Sequence, residues 1–357
     1  MTYSLKKTIV IVFLVVAAPL ALESISAYVI YRRTADFEGR RFHPNGLATV
    51  ALVKLAVKKF TGNSDVSLQI DHGPLFVEDA ALGYSLRPGS YDITEQRQGQ
   101  NHRFHLTVDD GGRRSTSYFS THMPRRIFIC GDSAMFGWGL NDEETVPWLL
   151  QQRLPQYEVV NLSSTSFSTV HALLQLRRAD VQLSSSDIVV LTYKPSTNDI
   201  NVASQTAFFD FRNGLEARLG DTQIKNAIYY PFGSINEQGE LMIRRVDLFC
   251  SSHVGAKNCV RDKPDPAVAM QVTTHAFDAI IALHPGRVLV AILSGADSDP
   301  VISHLRAKGV AFADLRALPG DPDISDAVET DGHAGPFLNY LFYLRLLAGL
   351  QNNRLLN

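Results

Sequence analysis

Ile129-Cys130-Gly131-Asp132-Ser133-Ala134-Met135-Phe136-Gly137-Trp138-Gly139 is the stretch on which the reading of this chain turns. The apolar run that leads into it, Ile127 to Cys130, has the length and composition of a strand buried on both faces, and it ends abruptly in a polar turn. Downstream the same rhythm repeats. A helical pattern over 144–154 precedes a short strand at Val159-Val160-Asn161-Leu162, and a helical pattern over 170–179 precedes the strand-like run at 187–193. After an interruption at about 203–265 come a helix over 267–283, strands over 287–293 and 310–315, and a final helix over 336–350. Short apolar strands alternating with helices predict a parallel sheet covered on both faces, a flavodoxin-like three-layer α/β/α domain over 123–357. Within the interruption, Ala227-Ile228-Tyr229-Tyr230 and Glu240-Leu241-Met242-Ile243 flank turn residues and predict a hairpin. An insertion of that length is either a substrate-facing element or a surface excursion.

Upstream the texture is different. Residues 75–119 are rich in Gly, Pro and Ser with alternating stretches such as Phe104-His105-Leu106-Thr107-Val108, which predicts a small β module. Residues 46–60 form an amphipathic pattern with Lys54, Lys58 and Lys59 on one side, read as a stalk helix, so that 34–122 is taken as stalk plus β module. Residues 8–30 are almost wholly apolar and as a helix would reach roughly 34 Å at about 1.5 Å per residue, against a bilayer core of about 30 Å. Lys6 and Lys7 before that run favour a cytoplasmic N-terminus and an exported remainder, while Arg32 and Arg33 beyond it weaken the orientation. The expectation is an N-terminal signal anchor over 1–33. A cleaved signal peptide is the competing reading, with Ser26-Ala27 the nearest small-residue site.

The composition is 45% hydrophobic and 20% charged with a formal net charge of -2. Such a balance offers no basic face for a nucleic acid. No fingerprint for a phosphate loop, a dinucleotide or a metal is present, so no cofactor is expected. Cys250 and Cys259 bracket a short polar loop. They read either as a disulfide formed on the oxidising side of a membrane or as two unpaired thiols. Cys130 reads as a small buried hydrophobe.

In a doubly wound sheet, functional groups gather at the carboxyl ends of strands. Here those ends carry Gly131-Asp132-Ser133, then Asn161 with the polar run 163–169, then Ser196-Thr197-Asn198-Asp199. Asp331-Gly332-His333 stands just before the last helix. Ser133 equally suits a helix N-cap, and Asn198 a turn-capping amide. Asp132 reads as a residue that holds the turn through local side-chain bonds.

The nucleophile-like block quoted above, followed by Asp142-Glu143-Glu144-Thr145-Val146-Pro147 and the Val159–Leu162 strand, resembles the SGNH/GDSL hydrolase superfamily. Leu82-Gly83-Tyr84-Ser85-Leu86-Arg87-Pro88 looks like the small β region that precedes such domains in membrane-anchored members. The resemblance implies Ser133 as nucleophile, His333 as general base and Asp331 as the residue orienting the imidazole. It implies an oxyanion hole made of the Ser133 N–H, the Ser166 N–H and the Asn198 amide, with Asp132 and Asp199 in supporting places. Two departures stand out. The family's acid lies three residues before the histidine, where this chain has Thr330, so a Ser-His dyad stays open beside the triad. Glycines usual in the second and third blocks are replaced by Ser166 and by Ser196 or Thr197. The implied activity is a serine esterase or acyl-transfer enzyme working on O-acylated carbohydrate of the cell envelope, on the exported side of the cytoplasmic membrane. The rival is a catalytically impaired module that binds a glycan or an assembly partner.

Overall fold

The strands of the parallel sheet are buried on both faces, and their successive side chains enter two different cores. The computed structural model describes residues 66–97, 100–117, 123–178, 180–204, 229–247, 265–316 and 333–356. The apolar run at 8–30, the 46–60 segment, Cys250, Cys259 and Asp331 lie outside these residues.

The first strands are β1 (Val66–Ile70), β2 (Phe76–Asp79), β3 (Gly83–Leu86), β4 (Gly89–Arg97) and β5 (Gln100–Val108). They form an antiparallel β1-β4-β5 sheet and a β2-β3 hairpin. Then follow β6 (Arg126–Cys130), the short helix α1 (Ser133–Phe136), a 3₁₀ turn (Asp142–Glu144) and α2 (Val146–Arg153). The chain continues through β7 (Glu158–Asn161), α3 (Thr169–Leu176), β8 (Ile188–Tyr193) and α4 (Ser196–Asn201). The hairpin β9 (Tyr229–Ile235) and β10 (Leu241–Asp247) interrupts the domain. It closes with α5 (Pro266–Leu283), β11 (Val288–Ile292), α6 (Pro300–Ala307), β12 (Ala311–Asp314) and α7 (Pro336–Asn352).

β6, β7, β8, β11 and β12 form one parallel sheet in the order β12-β11-β8-β6-β7. Renumbered within the domain, that order is 2-1-3-4-5, the flavodoxin-like arrangement, with its switch point between β6 and β8. Ile127, Ile129, Val159, Ile188, Val190 and Leu289 face α2 and α7 in one core. Phe128, Cys130, Val160, Val189, Leu191 and Val290 face α3, α5 and α6 in the other. The period of two along each strand thus produces the three layers. α2 starts at Val146, later than the pattern over 144–154 suggests, because Thr145 caps it by accepting the Trp148 N–H and Pro147 occupies its first turn. α5 has 18 residues and a mean hydropathy of 1.2, enough by length and composition to cross a bilayer. Here it is a core helix, burying Ala269, Val272, Ala276, Phe277 and Ile280.

The third core belongs to the β module, and it draws in residues from the α/β domain. Tyr84, Tyr91, Phe104 and Leu106 pack with Phe136 and Trp138 from the turn after β6, with Phe167 from the loop after β7, and with Tyr230 and Val246 from the hairpin. Arg114 makes isolated bridges to Val108 and to Asn161, linking β5 to the edge strand β7.

Candidate functional site

The site begins where β6 stops. A Cβ at Gly131 would lie 2.6 Å from the Thr192 hydroxyl oxygen and 3.0 Å from Met135 Cβ, so only glycine lets this turn pass so close to β8. Asp132 is the N-cap of α1 and accepts the Ala134 N–H at 3.0 Å. Its second carboxylate oxygen pairs with Lys194 Nζ at 2.6 Å. Lys194 follows β8 directly, so this ion pair crosses the switch point and ties the first strand-end loop to the third. Ser133 opens α1 and is half-buried. The chain then turns away at Gly137, whose φ of 79° makes a left-handed C-cap.

The second loop is zipped onto the first. Ser163 Oγ donates to the Ile129 carbonyl at 3.2 Å, and the Ser164 N–H donates to the Gly131 carbonyl at 3.3 Å. Asn161 accepts the Ser163 N–H at 3.0 Å through its side-chain oxygen. Ser166 then takes a φ of +60°, in the left-handed region that favours glycine. Two tyrosine hydroxyls meet the backbone there. Tyr84 donates to the Thr165 carbonyl, and Tyr230 donates to the Ser166 carbonyl at 2.7 Å. Burial, and then the neighbouring Tyr84, raise the Tyr230 phenol well above its ordinary value, so it stays protonated as a donor.

At the third loop, Asn198 is buried on α4 and its Nδ2 donates to the Tyr193 hydroxyl at 3.3 Å. Tyr193 in turn donates to Asp299 at 3.0 Å. A carboxylate only accepts, so Tyr193 must donate to Asp299 and accept from Asn198, and this order fixes which end of the amide faces the tyrosine. Burial, and then the Asp299 charge, raise the Tyr193 phenol. Asp199 follows on the same helix, half-buried. The three loops enclose a cavity of about 10 Å³ lined by Gly131 and Asp132, by Phe167, Ser168 and Thr169, and by Thr192 and Thr197. A larger cavity of about 70 Å³ lies between the β module and β7, lined by Asp79, Arg113, Ser163, Ser164 and Arg178. Neither cavity is lined by Ser133, Asn198 or His333. Size therefore does not locate this site; the strand ends do.

His333 sits half-buried two residues before Gly335, the N-cap of α7. Asn353 donates to the Phe312 carbonyl, Gly349 lies against Ala313, and Arg345 donates to the carbonyls of Leu315 and Arg316. These contacts run backwards along β12, so α7 is antiparallel to that strand. Its first turn, with His333 ahead of it, therefore emerges at the carboxyl edge of the sheet. Asn339 Nδ2 holds this entry by donating to the Ala334 carbonyl at 2.9 Å.

Several contributors were not singled out from the sequence. Lys194 could have been found as the first residue after a predicted strand. Tyr84, Tyr230, Asp299 and Arg114 lie 81, 64, 106 and 28 residues from Thr165, Ser166, Tyr193 and Asp142, the partners they hold, and Tyr193 and Asn339, though only five residues from Asn198 and Ala334, sit in a strand and a helix whose patterns give no hint of these bonds. Among the described residues no group of three or more His, Cys, Asp or Glu side chains is placed to hold a metal.

The protein this geometry defines is a flavodoxin-like three-layer α/β/α fold with a serine at the carboxyl end of the first sheet strand, beside its switch point. In comparison with known proteins, the sequence matches no family model and no curated protein. Solved structures that resemble it include TesA, with 16% identity, a TM-score of 0.36 and coverage of 64% of this chain and 99% of that one. A lipolytic protein of the G-D-S-L family from Veillonella parvula is 11% identical with a TM-score of 0.36, covering 63% and 97%. A family two carbohydrate esterase from Clostridium thermocellum, solved with cellohexaose, is 9% identical with a TM-score of 0.38, covering 80% and 99%. At such values the assignment of fold rests on the strand order of this chain itself.

Proposed function

We propose that this chain is an SGNH/GDSL-type serine hydrolase that forms an acyl-Ser133 intermediate. The observation that carries the reading is the meeting, at one switch point, of the Ser133 turn with the Ser166 loop and the β8 loop that leads to Asn198. In this reading Ser133 Oγ attacks the ester carbonyl while His333 accepts its proton. The carbonyl oxygen becomes an oxyanion held by the Ser133 N–H, the Ser166 N–H and the Asn198 amide. Collapse of the intermediate breaks the ester C–O bond, and His333 returns the proton to the leaving alcohol. Water, or a second sugar hydroxyl, then takes the acyl group by the reverse sequence. Asp331, two residues before His333, would orient the ring.

The substrate class we favour is O-acetylated carbohydrate of the cell envelope, reached by a domain held on the exported side of the membrane by the apolar segment at 8–30. What supports this is the apolar N-terminal segment with Lys6 and Lys7 before it. The test uses the full chain in detergent, with p-nitrophenyl acetate and an acetylated oligosaccharide as substrates, beside Ser133→Ala and His333→Ala. Loss of turnover in both folded variants supports the reading. Turnover indifferent to Ser133→Ala would falsify it. No turnover and no labelling of Ser133 by a fluorophosphonate would move the assignment to a glycan-binding module.

A further inference from the structure

We propose that Tyr84 and Tyr230 are positioning residues that pin the Ser166 peptide as an oxyanion donor, doing by tertiary hydrogen bonds what a glycine there would do by conformational freedom. The inference rests on the serine hydrolase reading above. A residue other than glycine at φ +60° is disfavoured by its own Cβ and stays there only if its surroundings hold it. The two peptide planes that meet at the Ser166 Cα are each held. Tyr84 bonds the Thr165 carbonyl, which belongs to the same peptide as the Ser166 N–H. That peptide is planar and trans, so fixing its carbonyl aims the N–H in the opposite direction. Tyr230 bonds the Ser166 carbonyl on the following peptide, at 2.7 Å. Turning either plane about the Ser166 Cα would break one of these hydrogen bonds, so φ and ψ of Ser166 are restrained together. A hydrogen bond to the Thr165 carbonyl also polarises the peptide and strengthens its N–H as a donor.

The two tyrosines come from parts of the chain that the parallel sheet does not need. Tyr84 lies on β3 of the β module and Tyr230 on β9 of the inserted hairpin, and both are buried. The strands meet at Gly83, where a Cβ would lie 2.9 Å from the Tyr229 carbonyl oxygen. Phe167 packs its ring 5.2 Å from that of Tyr84, and His171 sits 4.7 Å from Tyr230, so the rings have packing partners of their own. Replacing either tyrosine by phenylalanine therefore removes the hydroxyl and leaves the ring packing. The β module and the hairpin are, on this account, the two arms of a clamp on one strained peptide.

The experiment measures kcat and KM for p-nitrophenyl acetate on the full chain in detergent. It compares the wild type with Tyr84→Phe, Tyr230→Phe, the double variant, and Tyr230→Phe/Ser166→Gly. Each single change is expected to lower kcat by about tenfold, short of the 10²–10³-fold loss for removing an oxyanion donor outright, with KM within about twofold. Ser166→Gly in the Tyr230→Phe background should recover most of that loss, because glycine holds the left-handed conformation without help. A purely structural role would lower thermal stability and leave no route to rescue. Ser133-dependent turnover that ignores both tyrosines, or a loss that Ser166→Gly does not repair, overturns the clamp and leaves the hydrolase intact. Amide exchange over 163–167 provides a readout that does not need activity. Faster exchange in the double variant supports the clamp, and unchanged protection overturns it even if Ser133 proves not to be a nucleophile.

Discussion

Arg114 and Asp142 form an ion pair sealed from solvent, Nε to Oδ1 at 2.8 Å, directly behind the turn that follows Ser133. The rest of the guanidinium donates to the carbonyls of Phe136, Gly137, Leu140 and His105. Asp142 also accepts the Thr107 N–H at 2.8 Å. One arginine thus joins the β module to the turn of the nucleophile block. Burial lowers its pKa, and the Asp142 charge is the leading opposing influence.

Breaking this pair leaves a buried charge without its partner. Arg114→Met should therefore cost about 3–5 kcal/mol of stability, read from urea unfolding. Because the two residues act as a unit, Arg114→Met/Asp142→Asn should lose less than the sum of the single changes. A loss below about 1 kcal/mol for Arg114→Met would show that the turn does not depend on it.

Gly131 is the narrowest point of the site. Gly131→Ala pushes a methyl group into Thr192 and Met135, and overpacking of this kind costs roughly 1–3 kcal/mol. The strain is expected to displace Ser133, lowering kcat more than tenfold. Thr192→Ala in the same chain removes the nearer obstacle and should restore part of the stability. Equal stability of Gly131→Ala and the wild type would contradict the close approach.

His171 gives the fold a pH dependence. It is fully buried, stacked on Phe167 at 4.4 Å, and accepts the Ser168 N–H at 3.2 Å through Nδ1. Burial pushes it down to about 3, with a smaller opposing influence from the Leu82 backbone. The unfolded chain binds the proton near the ordinary value of about 6.5, so between the two values the unfolded state carries more protons than the folded one. The His171 contribution is therefore flat above about pH 6.5 and is lost as pH drops toward 3, by about 1.4 kcal/mol per unit at most. The depressed carboxylates of Asp187 and Asp314 add their own loss only as pH falls through and below about 3.9. Urea titrations at pH 7, 5.5 and 4.5 should show this slope in the wild type and a flatter one in His171→Phe. Parallel curves would rule His171 out as its source.

Tyr193 orders the amide of Asn198. Tyr193→Phe removes the acceptor that fixes the amide and should lower kcat about tenfold with little change in KM, since a loosened donor is felt mainly in the transition state. Asp299→Ala removes the acceptor of the tyrosine proton, leaves it free to turn toward Asn198, and should lower kcat in the same direction. If KM rises and kcat holds, Asn198 contributes to substrate binding instead.

The amino-acid sequence by itself determined the layers of this protein. The apolar strands, the helices between them and the hairpin around Asn236 to Glu240 are local patterns with periods of two or 3.6 residues, and a short window contains all the information they need. The placement of Ser133 after one strand and of Asn198 after another was legible for the same reason. Tertiary structure alone decided the rest. Apolar runs do not say which strand lies beside which, and the switch point exists only once β8 has paired with β6. Nor does any local pattern put Ser166 at a positive φ, because serine avoids it in isolation. Tyr84 is 81 residues from Thr165 and Tyr230 is 64 residues from Ser166, and it is their hydroxyls, arriving from two other elements, that make the left-handed backbone the stable one. A conformation held against its own intrinsic preference can be seen only where the holding groups are seen with it.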